Sequence, residues 1–100
     1  MSVLEQKDLL IKAIPAVGLY TNAESSIINK MIHVAIGNVA VIQVKDLKKQ
    51  LCLSHTSVYS SLKTLQLKNV ITKLQTQSHS YEINLSKLEH VITLYQNIES

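Results

Sequence analysis

Arginine, tryptophan and phenylalanine do not occur in this chain of 100 residues, and cysteine occurs only once, as Cys52. A single thiol excludes a disulfide within the chain, and nothing indicates an oxidising compartment. Without Trp or Phe the core has to be aliphatic, with the four tyrosines at its margins. Without arginine every fixed positive charge is a lysine, so bidentate guanidinium contacts to guanine or into a narrow minor groove are excluded.

Long apolar runs are also missing. No window approaches the roughly 20 apolar residues of a membrane span. Acids at Glu5 and Asp8 interrupt the N-terminal stretch, which contains no apolar run of the length that a signal peptide needs. We therefore expect a cytoplasmic protein with no membrane contact.

Clusters of catalytic or metal-ligating residues are absent as well. Cys52 and His55 stand three residues apart, and His33, His79 and His90 are scattered, so no set of ligands has the spacing of a metal site. There is no glycine-rich phosphate loop, no pair of acids in a plausible cleft and no supported Ser/His/Asp arrangement. We expect no enzymatic activity, cofactor, metal or small-molecule ligand, and we expect Cys52 to be a small buried hydrophobe.

Positive charge is concentrated in one third of the chain. Residues 42–74 hold six lysines against one acid, Asp46, a balance of +5, whereas residues 1–41 balance at zero and residues 75–100 come to −2. The net charge of +3 therefore understates the local field that a polyanion would meet. A lysine run alone is weak support for binding, because most such runs are simply solvated.

The apolar spacing and the capping residues predict two helices at the start of the chain. The first should cover residues 3–14 and end where Pro15 follows. The second should cover residues 22–36 and end at Gly37 and Asn38. Reciprocal caps between a hydroxyl and a glutamate are predicted at three helix starts in the whole chain: Ser2 with Glu5, Thr21 with Glu24, and Ser86 with Glu89.

The remaining sequence predicts a short strand, two closely spaced helices, a hairpin and a final helix. The expected ranges are 39–42 for the strand, 44–51 and 55–68 for the two helices, 72–77 and 81–85 for the hairpin strands, and 87–99 for the last helix. Inward residues of the two central helices should be Leu47 and Leu51 on the first, and Val58, Leu62 and Leu65 on the second.

The segment from the short strand to the hairpin resembles a known DNA-binding fold. Its pattern is similar to the winged helix-turn-helix of small bacterial, archaeal, plasmid and phage regulators of the MarR/ArsR kind. The matching residues are Ile42, Val44, Leu47, Leu51, Leu53, Ser54, Ser57, Val58, Leu62, Leu65, Val70 and Ile71. The resemblance implies an α+β winged helix-turn-helix, a three-helix core with a β-hairpin wing, carrying extra N- and C-terminal helices.

Three positions depart from that pattern. Lys48 stands where the family has a small residue, Cys52 where it has the turn glycine, and Asn69 where it has a glycine before the hairpin. Asn enters the left-handed region more easily than most residues, so Asn69 is a tolerable replacement.

We expect one domain, with residues 1–20 as N-terminal helix and connection, 21–85 as winged-helix core and 86–100 as C-terminal helix.

Burial of the inward residues would turn a polar set of side chains outward, which suits contacts with base edges. The candidate DNA contacts of the recognition helix are Ser54, His55, Thr56, Ser57, Tyr59, Ser60 and Lys63. The candidate wing and phosphate contacts are Lys45, Lys48, Lys49, Lys68, Lys73, Gln75, Gln77 and His79.

The apolar stripes of the two terminal helices need a partner surface. Either they pair across a two-fold axis in a homodimer, or they pack back on their own domain. The dimer hypothesis assigns to the interface Leu4, Leu10, Ile11, Ile14, Leu88, Val91, Ile92, Tyr95 and Ile98.

The function predicted from the sequence is therefore sequence-specific binding of double-stranded DNA by a dimeric transcriptional regulator. A plasmid or phage replication or partition factor is one alternative, and a winged-helix protein-interaction adaptor is another.

Overall fold

Five helices and a small three-stranded sheet make up the computed structural model, which describes residues 6–99. Along the chain they are α1 (Lys7–Ala16), α2 (Asn22–Val34), β1 (Val39–Val41), α3 (Val44–Leu51), α4 (His55–Leu67), β2 (Ile71–Lys73), β3 (Ser80–Ile83) and α5 (Leu85–Glu99). This is an α+β fold, and the order of its elements is the order that the sequence predicts.

The sheet is antiparallel, with β3 in the centre and β1 and β2 at its edges. Tyr81 of β3 lies opposite Ala40 of β1 and Lys73 of β2. Tyr81 and Ile83 point into the core while Glu82 between them is exposed, so β3 shows the alternation that its sequence predicts. The sheet thereby fixes β2 and the loop after it beside the N-terminal end of α3.

Terminal helices α1 and α5 pack against each other, and their buried side chains join the same core cluster as those of α2, α3, α4 and the sheet. This corrects the assignment of five residues to a dimer interface. Each of them is at most 8% exposed within the single chain: Leu10, Ile14, Leu88, Val91 and Ile92. Packing within the monomer already covers these side chains, so a partner cannot reach them. Leu4 lies outside the described residues.

Helix α1 differs from its predicted bounds at the C-terminal end. It runs through Pro15 and ends at Ala16, so the prediction that the helix stops before the proline is wrong. Pro15 is the last residue but one, where only one helical hydrogen bond is lost, and the Val17 N–H still donates to the Ala13 carbonyl at 3.1 Å. The predicted cap of Ser2 and Glu5 falls outside the described residues.

Helix α2 begins with the predicted reciprocal cap. The Glu24 N–H donates to Thr21 Oγ1, and the Thr21 N–H donates to Glu24 Oε1, both at 3.1 Å. The helix ends at Val34, two residues before the predicted end, because Ala35 is already extended. Gly37, with φ of +64°, instead forms the turn that joins Ile36 to Val39.

The hairpin and α5 also differ from their predicted bounds. Strand β2 is only three residues long, and residues 74–79 form a loop rather than the predicted continuation of the strand. Helix α5 begins at Leu85, so Ser86 is inside the helix and is not its cap. Asn84 takes that role: its Oδ1 accepts a hydrogen bond from the Ser86 N–H at 3.1 Å.

Candidate nucleic-acid interface

A tight turn sets the angle between α3 and α4. Cys52 takes the left-handed conformation with φ of 55°, and the N–H groups of Cys52 and Leu53 both donate to the Lys48 carbonyl. At this position the winged helix-turn-helix pattern that the sequence resembles has a glycine, which adopts the left-handed conformation readily. Cys52 is exposed, so the prediction that it is a buried hydrophobe is wrong. Its side chain points away from the core because the left-handed residue lies at the surface of the turn.

Ser54 caps the start of α4. The Ser57 N–H donates to Ser54 Oγ at 3.1 Å, and the first turn contains no acidic residue. The positive end of the helix dipole therefore remains without a protein counter-charge in the first turn. This end of α4 can accept an anionic group such as a phosphate.

Burial divides α4 into two sides. Val58, Leu62 and Leu65 are at most 3% exposed and hold the helix on the core, as the sequence predicts. Five exposed residues form the outward face of α4: His55, Thr56, Tyr59, Ser60 and Lys63. Ser57, also a candidate contact, is half-buried and is therefore not counted in this face. The arrangement offers hydroxyl groups, two aromatic rings, a methyl group and an ammonium group on one surface.

His55 and Tyr59 touch each other on that face. Their ring centroids are 4.5 Å apart and the ring planes are inclined by 52°. Tyr59 nevertheless keeps 51% of its surface exposed. Both residues were predicted as DNA contacts, but their contact with each other was not predicted, although the i, i+4 spacing on a helix is the signal for it.

A cleft of about 270 Å³ lies between the outward face of α4, the start of α3 and the hairpin. This α4–hairpin cleft is lined by Gln43, Val44, Lys45, Tyr59, Lys73, His79 and Tyr81. Two lysines and a histidine from three parts of the chain thus meet there, and none of the lining residues is acidic. The lining of the cleft therefore carries formal positive charge from two lysines, with no carboxylate among its residues to offset it.

Tyr81 forms part of the wall of the α4–hairpin cleft although it is only 6% exposed. Its burial raises the pKa of the phenol above the ordinary value, and the nearby Tyr59 raises it further. At neutral pH the Tyr81 hydroxyl is thus uncharged and retains its proton. Neither Tyr81 nor Gln43 was among the interface residues predicted from the sequence.

The hairpin loop forms a second hollow, of about 320 Å³, directly beside the cleft. It is lined by residues 73–79, which include the candidates Lys73, Gln75, Gln77 and His79. The Ser80 hydroxyl can donate its proton either to the Ser78 carbonyl at 3.2 Å or to Gln77 Oε1 at 3.3 Å. Gln75 and His79 are exposed, and His79 has a positive φ of 58° at the end of the loop.

The lysine candidates fall into two groups. Lys45, Lys49, Lys63 and Lys73 are exposed, and Lys48 is half-buried. Lys68 is different, because its Nζ donates to Glu24 Oε1 and to the Leu19 carbonyl, each at 3.1 Å, and lies 5.3 Å from the centre of the Tyr20 ring. It ties the α1–α2 connection to the end of α4, so its ammonium group is already engaged within the chain, unlike those of the other lysine candidates.

Residues 6–99 contain neither a cluster of metal ligands nor a membrane-spanning helix. Within that range no group of three or more His, Cys, Asp or Glu residues is placed to hold a metal ion. None of the described helices has both the length and the apolar character to cross a bilayer. Comparison with protein-family models, with curated proteins and with solved structures found no match for this chain.

Proposed function

We propose that this chain is a winged helix-turn-helix protein that binds double-stranded DNA, with α4 as its recognition helix and the β2–β3 hairpin as its wing. The order of α2, β1, α3, α4, β2 and β3 supports the fold. The turn at Cys52 and the left-handed Asn69 before β2, with φ of 60°, support it further. Both occupy the positions where the related pattern has glycine.

The observation that carries the DNA-binding proposal is the α4–hairpin cleft. Lys45 of α3 is far in sequence from Lys73 and His79 of the hairpin, yet the fold brings all three to one hollow whose lining includes no acidic residue. If these side chains served only to keep the surface solvated, residues from separate elements would not need to lie around one hollow. A duplex, by contrast, offers phosphates on both sides of a groove, so a protein that spans the groove needs cations on two projecting elements.

In this proposal α4 enters the major groove with its outward face toward the bases. An α-helix with its side chains is about 10–12 Å across, which fits a major groove of about 12 Å. The hydroxyls of Thr56 and Ser60 can donate to or accept from base edges, and Lys63 can reach a phosphate or a guanine. Lys45 and Lys49 from α3 and Lys73 from the hairpin bind phosphates and fix the register.

We further propose that the protein is a homodimeric transcriptional regulator. Ile11 of α1 and Ile98 of α5 remain 49% and 62% exposed after the terminal helices have packed together. These two apolar side chains are the remaining support for a two-fold contact through α1 and α5. A dimer would present two recognition helices to half-sites about one helical turn apart, roughly 34 Å, so its operator should be near-palindromic.

The test is the affinity for a random-sequence duplex as a function of salt concentration. Binding through several lysines predicts that the logarithm of the association constant falls linearly with that of salt concentration, by about 0.9 per neutralised phosphate. Lys45→Ala and Lys73→Ala should each reduce the slope by about that amount. Lys87→Ala serves as the matched control, because Lys87 lies on α5 and does not line the cleft.

Three other outcomes of the same titration would change the proposal. Binding that is absent or insensitive to salt favours a protein-interaction adaptor. Cooperative spreading along repeated sites favours a replication or partition factor over a regulator of one operator. An equal loss of slope in the Lys87→Ala control would show that the lysines act through net charge and not through the cleft.

A further inference from the structure

The His55–Tyr59 pair places two aromatic rings on an otherwise polar and basic surface. It lies in the first two turns of the outward face of α4, with its rings 4.5 Å apart and with half of the Tyr59 surface exposed. No other described side chain covers this exposed half of Tyr59. Exposed aromatic surface gains free energy only when a partner removes it from water.

The Thr56 methyl group adds to the same feature. Thr56 precedes Tyr59 by three residues, so the two side chains are neighbours on the helix surface. Both are exposed. The first two turns of α4 therefore present two rings and one methyl group to whatever lies against them.

A major groove offers very little apolar surface in return. Its base edges are hydrogen-bond donors and acceptors, and the one apolar group among the four ordinary bases is the C5 methyl group of thymine. Guanine is most often selected by arginine or lysine; this chain has no arginine, and Lys63 is the one lysine of the outward face of α4. The composition of the recognition surface therefore favours thymine over guanine.

We propose that His55, Thr56 and Tyr59 read thymine through its methyl group, so that the preferred duplexes carry thymines in the major groove that α4 enters. This inference rests on the proposed function and specifies the ligand of that site. Lys63, one turn further along α4, supplies a contact to a phosphate or to a polar base edge, next to the contact with the thymine methyl group.

The test compares duplexes that differ only in the methyl group. Alternating dA–dT and dA–dU duplexes, each two helical turns long, are titrated against the wild-type protein by fluorescence anisotropy at one low salt concentration. Each contacted methyl group should strengthen binding about fourfold, the effect of burying one carbon group. Alternating dG–dC and dG–5-methyl-dC duplexes form a second pair, which separates the methyl group from the rest of thymine.

Variants connect the discrimination to the ring pair. Tyr59→Ala and, independently, His55→Ala should bind the dA–dT and dA–dU duplexes with nearly equal affinity. Leu67→Ala is the matched control, because Leu67 is a 73% exposed residue at the opposite end of α4, and it should keep the wild-type discrimination. Circular dichroism establishes that each variant is folded, which is expected since all three side chains are exposed.

The possible results separate the two proposals. Equal wild-type affinity for the dA–dT and dA–dU duplexes, with steep salt dependence for both, overturns thymine reading and leaves DNA binding intact. Discrimination that persists in both ring variants also overturns the inference, because the methyl group is then read elsewhere. Absence of binding to all four duplexes overturns the proposed function and the inference together.

Discussion

At the residue scale, Lys63 and Lys68 lie close together in sequence but in different environments. Lys63 is exposed on the outward face of α4. Lys68, five residues later, is bound to the carboxylate of Glu24, which is only 4% exposed, and to the Leu19 carbonyl. From the sequence, Lys63 was predicted as a contact of the recognition helix and Lys68 as a phosphate contact, so both were expected to face DNA. Their difference comes from the α1–α2 connection, which lies beside the end of α4 only in the folded chain.

Lys68→Met should therefore lower the free energy of unfolding by about 1–2 kcal/mol, because the buried Glu24 carboxylate loses a charged donor. Lys68 is partly exposed, so the loss should be smaller than for a fully buried pair. Lys63→Met, the matched control, should change stability by less than about 0.5 kcal/mol. Urea denaturation measures the free energy of unfolding of both variants. Equal losses would contradict a stabilising role for the contacts of Lys68 with Glu24 and Leu19.

Cys52 occupies a backbone conformation that suits glycine better. Its φ is 55° and its side chain is exposed, so Cys52→Gly removes strain without removing a core contact. We expect the free energy of unfolding to rise by about 0.5–1 kcal/mol. Asn69→Gly at φ of 60° should gain less, because asparagine tolerates this region. A loss of stability in the Cys52 variant would disprove the argument from backbone strain.

At the element scale, the terminal helices belong to the core of the chain. Leu88 of α5 is fully buried, whereas Ile98 near the end of the same helix is 62% exposed. Leu88→Ala should cost about 2–4 kcal/mol of unfolding free energy through lost burial and a cavity. Ile98→Ala should cost less than about 1 kcal/mol. Thermal or urea unfolding compares them, and similar small losses would mean that α5 contributes little to the fold.

The elements that the sequence predicted most accurately are those that local patterns determine. The bounds of α3 and the start of α2 follow from apolar spacing and from the cap at Thr21. The end of α1 and the start of α5 were predicted wrongly, since Pro15 remains in the last turn of α1 and Asn84, not Ser86, caps α5. The hairpin strands are short because the regular register between β2 and β3 covers only residues 71–73 of the outgoing strand. Such pairing depends on the sheet and not on the local sequence.

At the scale of the whole molecule, the distribution of exposed apolar residues bears on the oligomeric state. If the homodimer forms through α1 and α5, Ile98→Glu should shift the mass measured by light scattering at tens of micromolar from dimer to monomer. The reason is that an unpaired charge would be buried at the interface. Leu67→Glu on α4 is the control and should leave the mass unchanged. A monomeric wild-type protein would end the dimer proposal.

The candidate interface was only partly predictable from the sequence. The outward face of α4 follows from the helical period, since burial of Val58, Leu62 and Leu65 determines which side chains remain outside. The α4–hairpin cleft could not be predicted, because its lining residues come from three separate elements. No local signal places Lys45 beside Lys73 or brings Tyr81 to the wall of that cleft.

The most direct measurement is an NMR titration of isotopically labelled protein with a random-sequence duplex at low salt, followed through the backbone amide signals. Binding by α4 and the hairpin predicts that the largest changes fall on residues 54–63, on Lys45 and on residues 73–79. Signals of α5, including those of Lys87 and His90, should stay nearly unchanged. If the changes centred on α5 or α1, or if saturating duplex moved no signal, the outward face of α4 would not be a DNA-binding surface.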